Sequence, residues 1–317
     1  MRCPAVLLAV SVAACSDGGS DAPDGAVCPP ANLSGCDPSD DSTCLALPQD
    51  DVQAALGTEL PDPDVENPVL TTDGADYTCN TSAPPTPRPT GDVTVTGLVL
   101  DFQSDDALAG ASIEVFAAAQ FDAAPLATTT SSADGSYQIV VPTETLRDGR
   151  VFWRNTAPGQ APTHELYDPL LPDASLAFAS DRVSVSEDTA ETIPTVLGTT
   201  RPDGTVVVVG RVRDCQRRYV AGATARLYDD RCGGFQAIGG FEEFYFEEEY
   251  PSQRGRWRAT SPDGLFVMFK VDPADSAEVR ILGRLAGVET VLSRAVIPLI
   301  PDSVVITDFD PLEAPVQ

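Results

Sequence analysis

Three short blocks of this chain occur twice, in the same order. Val95-Thr96-Gly97-Leu98-Val99-Leu100-Asp101 is matched by Val208-Val209-Gly210-Arg211-Val212-Arg213-Asp214 at an offset of 113 residues. Ala109-Gly110-Ala111-Ser112-Ile113-Glu114-Val115 is matched by Ala221-Gly222-Ala223-Thr224-Ala225-Arg226-Leu227 at 112, and Ser132-Ala133-Asp134-Gly135-Ser136-Tyr137 by Ser261-Pro262-Asp263-Gly264-Leu265-Phe266 at 129. Such a repeat constrains the fold more than composition does, because both copies must be built on one strand order. The last offset exceeds the second by 17 residues, so the second copy carries an insertion before its Asp-Gly turn.

Within each copy the blocks read as strands. Val93 to Leu100, Ser112 to Phe116, Ser136 to Val141 and Val151 to Trp153 are short β-branched runs separated by turn residues. Closing strands fall near Val183-Ser184-Val185 and Thr192-Ile193-Pro194-Thr195-Val196. Asp134-Gly135 and Asp263-Gly264 supply the positive-φ positions of tight turns, and the alternation after them sends Tyr137, Ile139 and Val141, or Phe266 and Met268, to one face. Amphipathic helix is confined to a weak candidate at Asp51 to Leu56. The expected fold class is all-β: two tandem antiparallel, Ig-like or transthyretin-like β-sandwiches after a disordered, cysteine-bearing amino-terminal region.

A first strand with Gly, a Gly-Ala opening the second, and a Ser/Thr stretch into Asp-Gly-x-Tyr/Phe together resemble the carboxypeptidase regulatory-like domain. The resemblance implies a seven-stranded, transthyretin-like sandwich of the carbohydrate-binding-like kind. It covers residues 92–198 and, interrupted by the insertion, 204–313. Metallocarboxypeptidases that contain this module carry their zinc site in a separate catalytic domain, and no stretch of that size remains in this chain.

The amino terminus reads as an address. Arg2 precedes a ten-residue apolar run from Ala5 to Ala14, too short to span about 30 Å of hydrocarbon at 1.5 Å per residue. Residues 1–14 are therefore read as a signal peptide. Val12-Ala13-Ala14-Cys15 resembles the lipobox of bacterial lipoproteins, which implies diacylation of Cys15, and Ser16 after it resembles the pattern sorted to the outer membrane. Acyl chains, palmitate among them, contribute about 0.8 kcal/mol per buried methylene and would hold the chain in a leaflet. Residues 15–27 form a flexible tether, 28–81 a small acidic cysteine-rich segment, and 82–91 (SAPPTPRPTG) a proline-rich linker. In an oxidising compartment Cys28, Cys36, Cys44, Cys79, Cys215 and Cys232 are disulfide candidates. Four of them precede the linker and allow three pairings, while a Cys215–Cys232 bond would close an 18-residue loop worth about 3 kcal/mol.

Charge excludes one partner class. The chain carries 48 acidic and 20 basic residues, a net charge of -28, and a field of that sign repels a phosphate backbone. Residues 16–92 carry -14 of it and residues 201–317 only -4. The acidity is thus expected to keep an envelope stalk soluble, leaving recognition to the more neutral second module.

Motifs for chemistry are scarce. His164 is the one histidine, read as a loop residue beside Pro162, and no Gly-x-Ser-x-Gly accompanies it. Lys270 is the one lysine and reads as an outward strand residue. Asp62-x-Asp64-x-Glu66 and Asp308-x-Asp310 are oxygen-rich, but the first lacks the glycine and distal glutamate of a calcium loop and both read as solvated acidic loop, and the cysteine spacings lack a zinc pair. No catalytic residue, metal or cofactor is assigned. In the insertion, Phe241 to Tyr250 followed by Arg254-Gly255-Arg256-Trp257-Arg258 is expected to form a hairpin about Pro251 to Gln253. That hairpin would set Glu248 opposite Arg256, Tyr250 opposite Arg254 and Phe246 opposite Arg258, with Tyr245, Tyr250 and Trp257 as a candidate binding surface. The expectation is a non-catalytic, lipid-anchored cell-envelope protein, bound to the membrane through its amino terminus and presenting tandem modules to a carbohydrate or an envelope protein. A purely structural spacer is the alternative, and an uncharacterised hydrolase the lesser one.

Overall fold

The computed structural model describes residues 69–70, 75–78, 88–146, 149–229, 236–237, 240–247, 250–251, 259–261, 263–285 and 288–311. The lipobox, the tether, the candidate helix at Asp51 to Leu56, Asp62 to Glu66, Trp257 and every cysteine except Cys215 lie outside these residues.

The described chain is all-β. It runs through β1 (Val69–Leu70), β2 (Val93–Asp101), β3 (Ser112–Phe116), β4 (Ala127–Thr130), β5 (Ser136–Val141), β6 (Arg150–Thr156), β7 (Gln160–Ala161), β8 (Thr163–Pro169), β9 (Ala177–Ala179) and β10 (Arg182–Ser186). A single helix among the described residues, α1 (Glu187–Val196), follows. Then come β11 (Val206–Val212), β12 (Val220–Ala221), β13 (Thr224–Asp229), β14 (Gln236–Ala237), β15 (Glu242–Glu247), β16 (Tyr250–Pro251), β17 (Leu265–Val271), β18 (Ala274–Leu285), β19 (Val288–Leu299) and β20 (Val304–Phe309).

Both repeats use the same pairings. In the first, β2 lies antiparallel to β5 and parallel to β10, while β3 pairs β4 and β6, and β6 pairs β8. In the second, β11 lies antiparallel to β17 and parallel to β20, while β13 pairs β14 and β18, and β18 pairs β19. Asp134-Gly135 and Asp263-Gly264 open β5 and β17. Gly135 and Gly264 stand at φ +78° and +65°, and a Cβ would lie 2.7 Å from that of Ala107 in one case and 2.6 Å from the Val212 carbonyl oxygen in the other. Only glycine fits either position.

The two modules share a sheet. Val304, Val305, Ile306 and Thr307 of β20 pair in parallel with Thr163, His164, Glu165 and Leu166 of β8. The order β16-β15-β17-β11-β20-β8-β6-β3-β4 is thereby one nine-stranded sheet spanning both repeats. Strand β6 in it is buried on both faces. Val151 and Trp153 of β6 enter the first core with Val95, Ile113 and Ile139. Phe152, from the opposite face, joins Phe116, Phe121, Leu166 and Tyr167 in the core of the second module, beside Val208, Phe266, Ile281 and Ile297.

Helix α1 corrects one sequence expectation. Thr192 to Val196 is helical, not a closing strand. Ser186 caps the helix by accepting the Thr189 N–H at 3.1 Å, Glu187 and Asp188 occupy the first turn, and Ala190, Ile193 and Leu197 fall on one face. That face covers the outer side of the second module's sheet, against Val207, Phe244, Phe246, Val267 and Phe269. Helical spacing and a serine cap outweigh the β-branched composition of this short run.

The amino-terminal cysteine segment is not wholly separate either. Val69 and Leu70 pair in parallel with Val220 and Ala221 of β12, and Tyr77 is buried in the second module's core. The Asp76 N–H donates to Asp214 Oδ2 at 3.2 Å, and the Cys215 N–H to the Asp76 carbonyl at 2.8 Å.

Candidate functional site

Consecutive residues of β8 serve different compartments, because side chains alternate across a strand. His164 turns to the outer side, where a cleft of about 960 Å³ opens at the seam. Its walls are the loop around Phe121 and Asp122 from the first module, and Pro273 to Asp275 with Pro298 to Pro301 from the second. A second hollow of about 470 Å³ shares Ala119, Gln120, Asp275 and Pro298 with it.

The floor of the cleft is held rigidly. Arg154 donates from Nε to Glu114 Oε2 at 2.5 Å and from Nη1 to the Phe121 carbonyl at 2.9 Å. His164 is 2% exposed, with the Phe121 ring centroid 4.4 Å from its own. Its Nδ1 is buried without a hydrogen-bond partner. The reading of His164 as a loop residue is therefore corrected: it is a strand residue under the seam. Burial first, and the Arg154 charge second, push its pKa down to about 4.

That shift fixes a pH dependence. A histidine neutral in the fold contributes its full stability above the ordinary value of 6.5 and loses it as pH falls from there through about 4. The loss is expected to reach about 3 kcal/mol at the acid end. Urea unfolding at stepped pH checks this by comparison with His164→Gln, in which that part of the acid limb should flatten. The difference between the two isolates His164 from Glu165 and Glu243, whose burial pushes their carboxyls up and gives the opposite slope.

Glu165 turns inward to a buried charge cluster. Arg182, 2% exposed, donates to Glu165 Oε2 at 3.0 Å, lies 3.1 Å from Asp168 Oδ2, and stacks over the Trp153 ring at 4.5 Å. Asn155 Nδ2 and the Val183 N–H donate to Glu165 Oε1 at 2.7 and 3.1 Å, and Trp153 Nε1 donates to Asp168 Oδ2 at 2.9 Å. The cluster ties β10, from one sheet of the first module, to β8 and β6 of the other.

The structure separates the residues that sequence grouped as an aromatic surface. Tyr245 is 1% exposed, its Oη accepting the Ala225 N–H at 3.2 Å, so it belongs to the core and not to a surface. Tyr250 lies on β16 and Trp257 outside the described residues. Phe246 pairs with Pro251 and Glu247 with Tyr250, which corrects a turn about Pro251 to Gln253, while Arg254, Arg256 and Arg258 lie outside the described residues. Register is set instead by β17 and by the two buried faces of β15, which send Phe244 and Phe246 under α1 and Tyr245 into the core. Glu242 binds Lys270 of the neighbouring β17 at 3.2 Å, and Glu243 binds Arg226 of β13, in another sheet, at 2.6 Å. Asp308 is likewise engaged, by Arg213 at 2.7 Å. The seam cleft was illegible in the sequence because its walls come from segments about 150 residues apart. The one available signal was His164 itself, the lone histidine of the chain.

No protein-family model and no curated protein matches the chain. Among solved structures it is similar to the shaft pilin SpaA of Lactobacillus rhamnosus GG, at 11% identity over 70% of this chain and 99% of the pilin, with a TM-score of 0.22. The dioxygenase domain of a carbohydrate-binding fusion protein from Streptomyces sp. SirexAA-E is 17% identical over 43% of this chain and 97% of that domain, with a TM-score of 0.22. The Bacillus anthracis TIE protein is 9% identical over 69% of this chain, with a TM-score of 0.22, and the chain spans about a third (33%) of its length. Likeness at this level says nothing of activity.

Proposed function

We propose that this chain is an exported, non-catalytic, lipid-anchored cell-envelope protein whose two modules act as one rigid body that binds a carbohydrate or an envelope protein. The observation that carries the reading is the parallel pairing of β20 with β8, which removes the hinge between modules and leaves a shaped cleft along the join. A cleft floored by a buried histidine whose Nδ1 has no hydrogen-bond partner favours binding over a passive spacer. The resemblance of the repeat blocks to the carboxypeptidase regulatory-like domain supports a carbohydrate-binding-like module in each copy. Cys15 is the proposed anchor, on the outer membrane, and a disulfide at Cys215 would suit an oxidising compartment. Because Val69, Leu70 and Tyr77 dock on the second module, the chain leaving the anchor reaches that module first.

Cys15→Ala is expected to move the protein from the membrane fraction to the soluble exported fraction, read by fractionation and by loss of metabolic palmitate labelling. Continued membrane attachment would overturn the anchor. Binding screens are best run on residues 16–317, since a fragment beginning at the linker would remove Tyr77 from the second core.

A further inference from the structure

We propose that the seam cleft takes a basic side chain from an extended, positively charged peptide segment of a partner protein. The inference rests on the reading of the fused body as a binding platform and names the chemistry of its site. Beside the exposed Gln120, the cleft leaves two carboxylates available, and they point to a donor-rich cation. The Arg154 guanidinium is already bound to Glu114 and to the Phe121 carbonyl. Asp122 on the first module's wall and Asp275 on the second module's wall are exposed, and no hydrogen bond or ion pair among the described residues engages either carboxylate. Below them is His164 Nδ1, buried without a partner. An ammonium or guanidinium placed between the walls donates a charge-assisted hydrogen bond to the carboxylate of each module, above the buried imidazole. Pro273, Pro298, Pro301 and Ile300 offer apolar flanks for the alkyl stem. The net charge of -28 draws a cationic segment toward the body at long range.

The test uses full-length protein in neutral detergent and fluorescein-labelled acetyl-Lys-Lys-Lys-amide, followed by fluorescence anisotropy. Binding is expected to saturate at one site and to weaken with salt. Asp122→Asn with Asp275→Asn is expected to weaken it at least tenfold. Glu144→Gln with Glu191→Gln, an equal loss of charge at exposed positions outside the cleft, should weaken it less than twofold. An acetyl-Glu-Glu-Glu-amide probe is expected not to bind. Non-saturating binding, equal weakening by both double variants, or no weakening by the first would overturn the site. Binding of spermidine without binding of the peptide would overturn the assignment to a peptide. A neutral glycan competing at the same two aspartates would replace the cation assignment while keeping the platform, whereas the Cys15→Ala result decides the anchor independently.

Discussion

Arg182→Ala is expected to lower the free energy of unfolding by about 3–5 kcal/mol. The guanidinium binds both Glu165 and Asp168, and it fills the space over Trp153. Burial alone would lower its pKa, but the two carboxylates outweigh burial and hold it charged. Its removal leaves two neighbouring acids inside the sandwich without that shared counterion, a larger effect than the pair's own net contribution. Urea unfolding followed by tryptophan fluorescence reads the change, because Trp153 sits inside the cluster. The variant Arg182→Met, Glu165→Gln, Asp168→Asn removes all three charges together and is expected to recover more than half of the loss. A loss below about 1 kcal/mol in Arg182→Ala would mean that water reaches the cluster, as at an exposed ion pair.

Tyr245→Ala is the second large effect, at about 3–5 kcal/mol, the range for truncating a fully buried aromatic side chain. Tyr245→Phe keeps the ring but leaves the Ala225 N–H without its acceptor, for about 1–3 kcal/mol. Thermal unfolding separates the two variants. A Tyr245→Ala protein as stable as the parent would return this residue to the surface on which the sequence placed it. Loss of ligand binding in Tyr245→Ala is accordingly read together with its unfolding curve.

Much of each module was legible because its signals are local. Alternation in Ser136 to Val141, the Asp-Gly turns and the recurrence of three blocks all report on strands within reach of their neighbours. What could not be read was set by contacts between the copies. Val151-Phe152-Trp153 does not alternate because both faces of β6 are covered, one by each core. The same cause hid Tyr245: Phe244-Tyr245-Phe246 looks like an exposed aromatic run, yet α1 covers one face and the second core takes the other. Helix α1 was misread through Thr192 and Val196, although Ser186, Glu187 and the spacing of Ala190, Ile193 and Leu197 carried the opposite signal. The pairing of β20 with β8 joins residues about 140 positions apart, and no pattern in either strand names the other as partner.

The fused sheet is the central claim, and amide hydrogen exchange at the seam tests it most directly. If the modules form one body, the amides of Val305 to Thr307 and of His164 to Leu166 should exchange only through global unfolding, with opening free energies within about 1 kcal/mol of those of Val208 and Ile113 in the two cores. Seam amides that exchange several kcal/mol more easily, while both cores stay protected, would show two modules that separate, and would contradict the account.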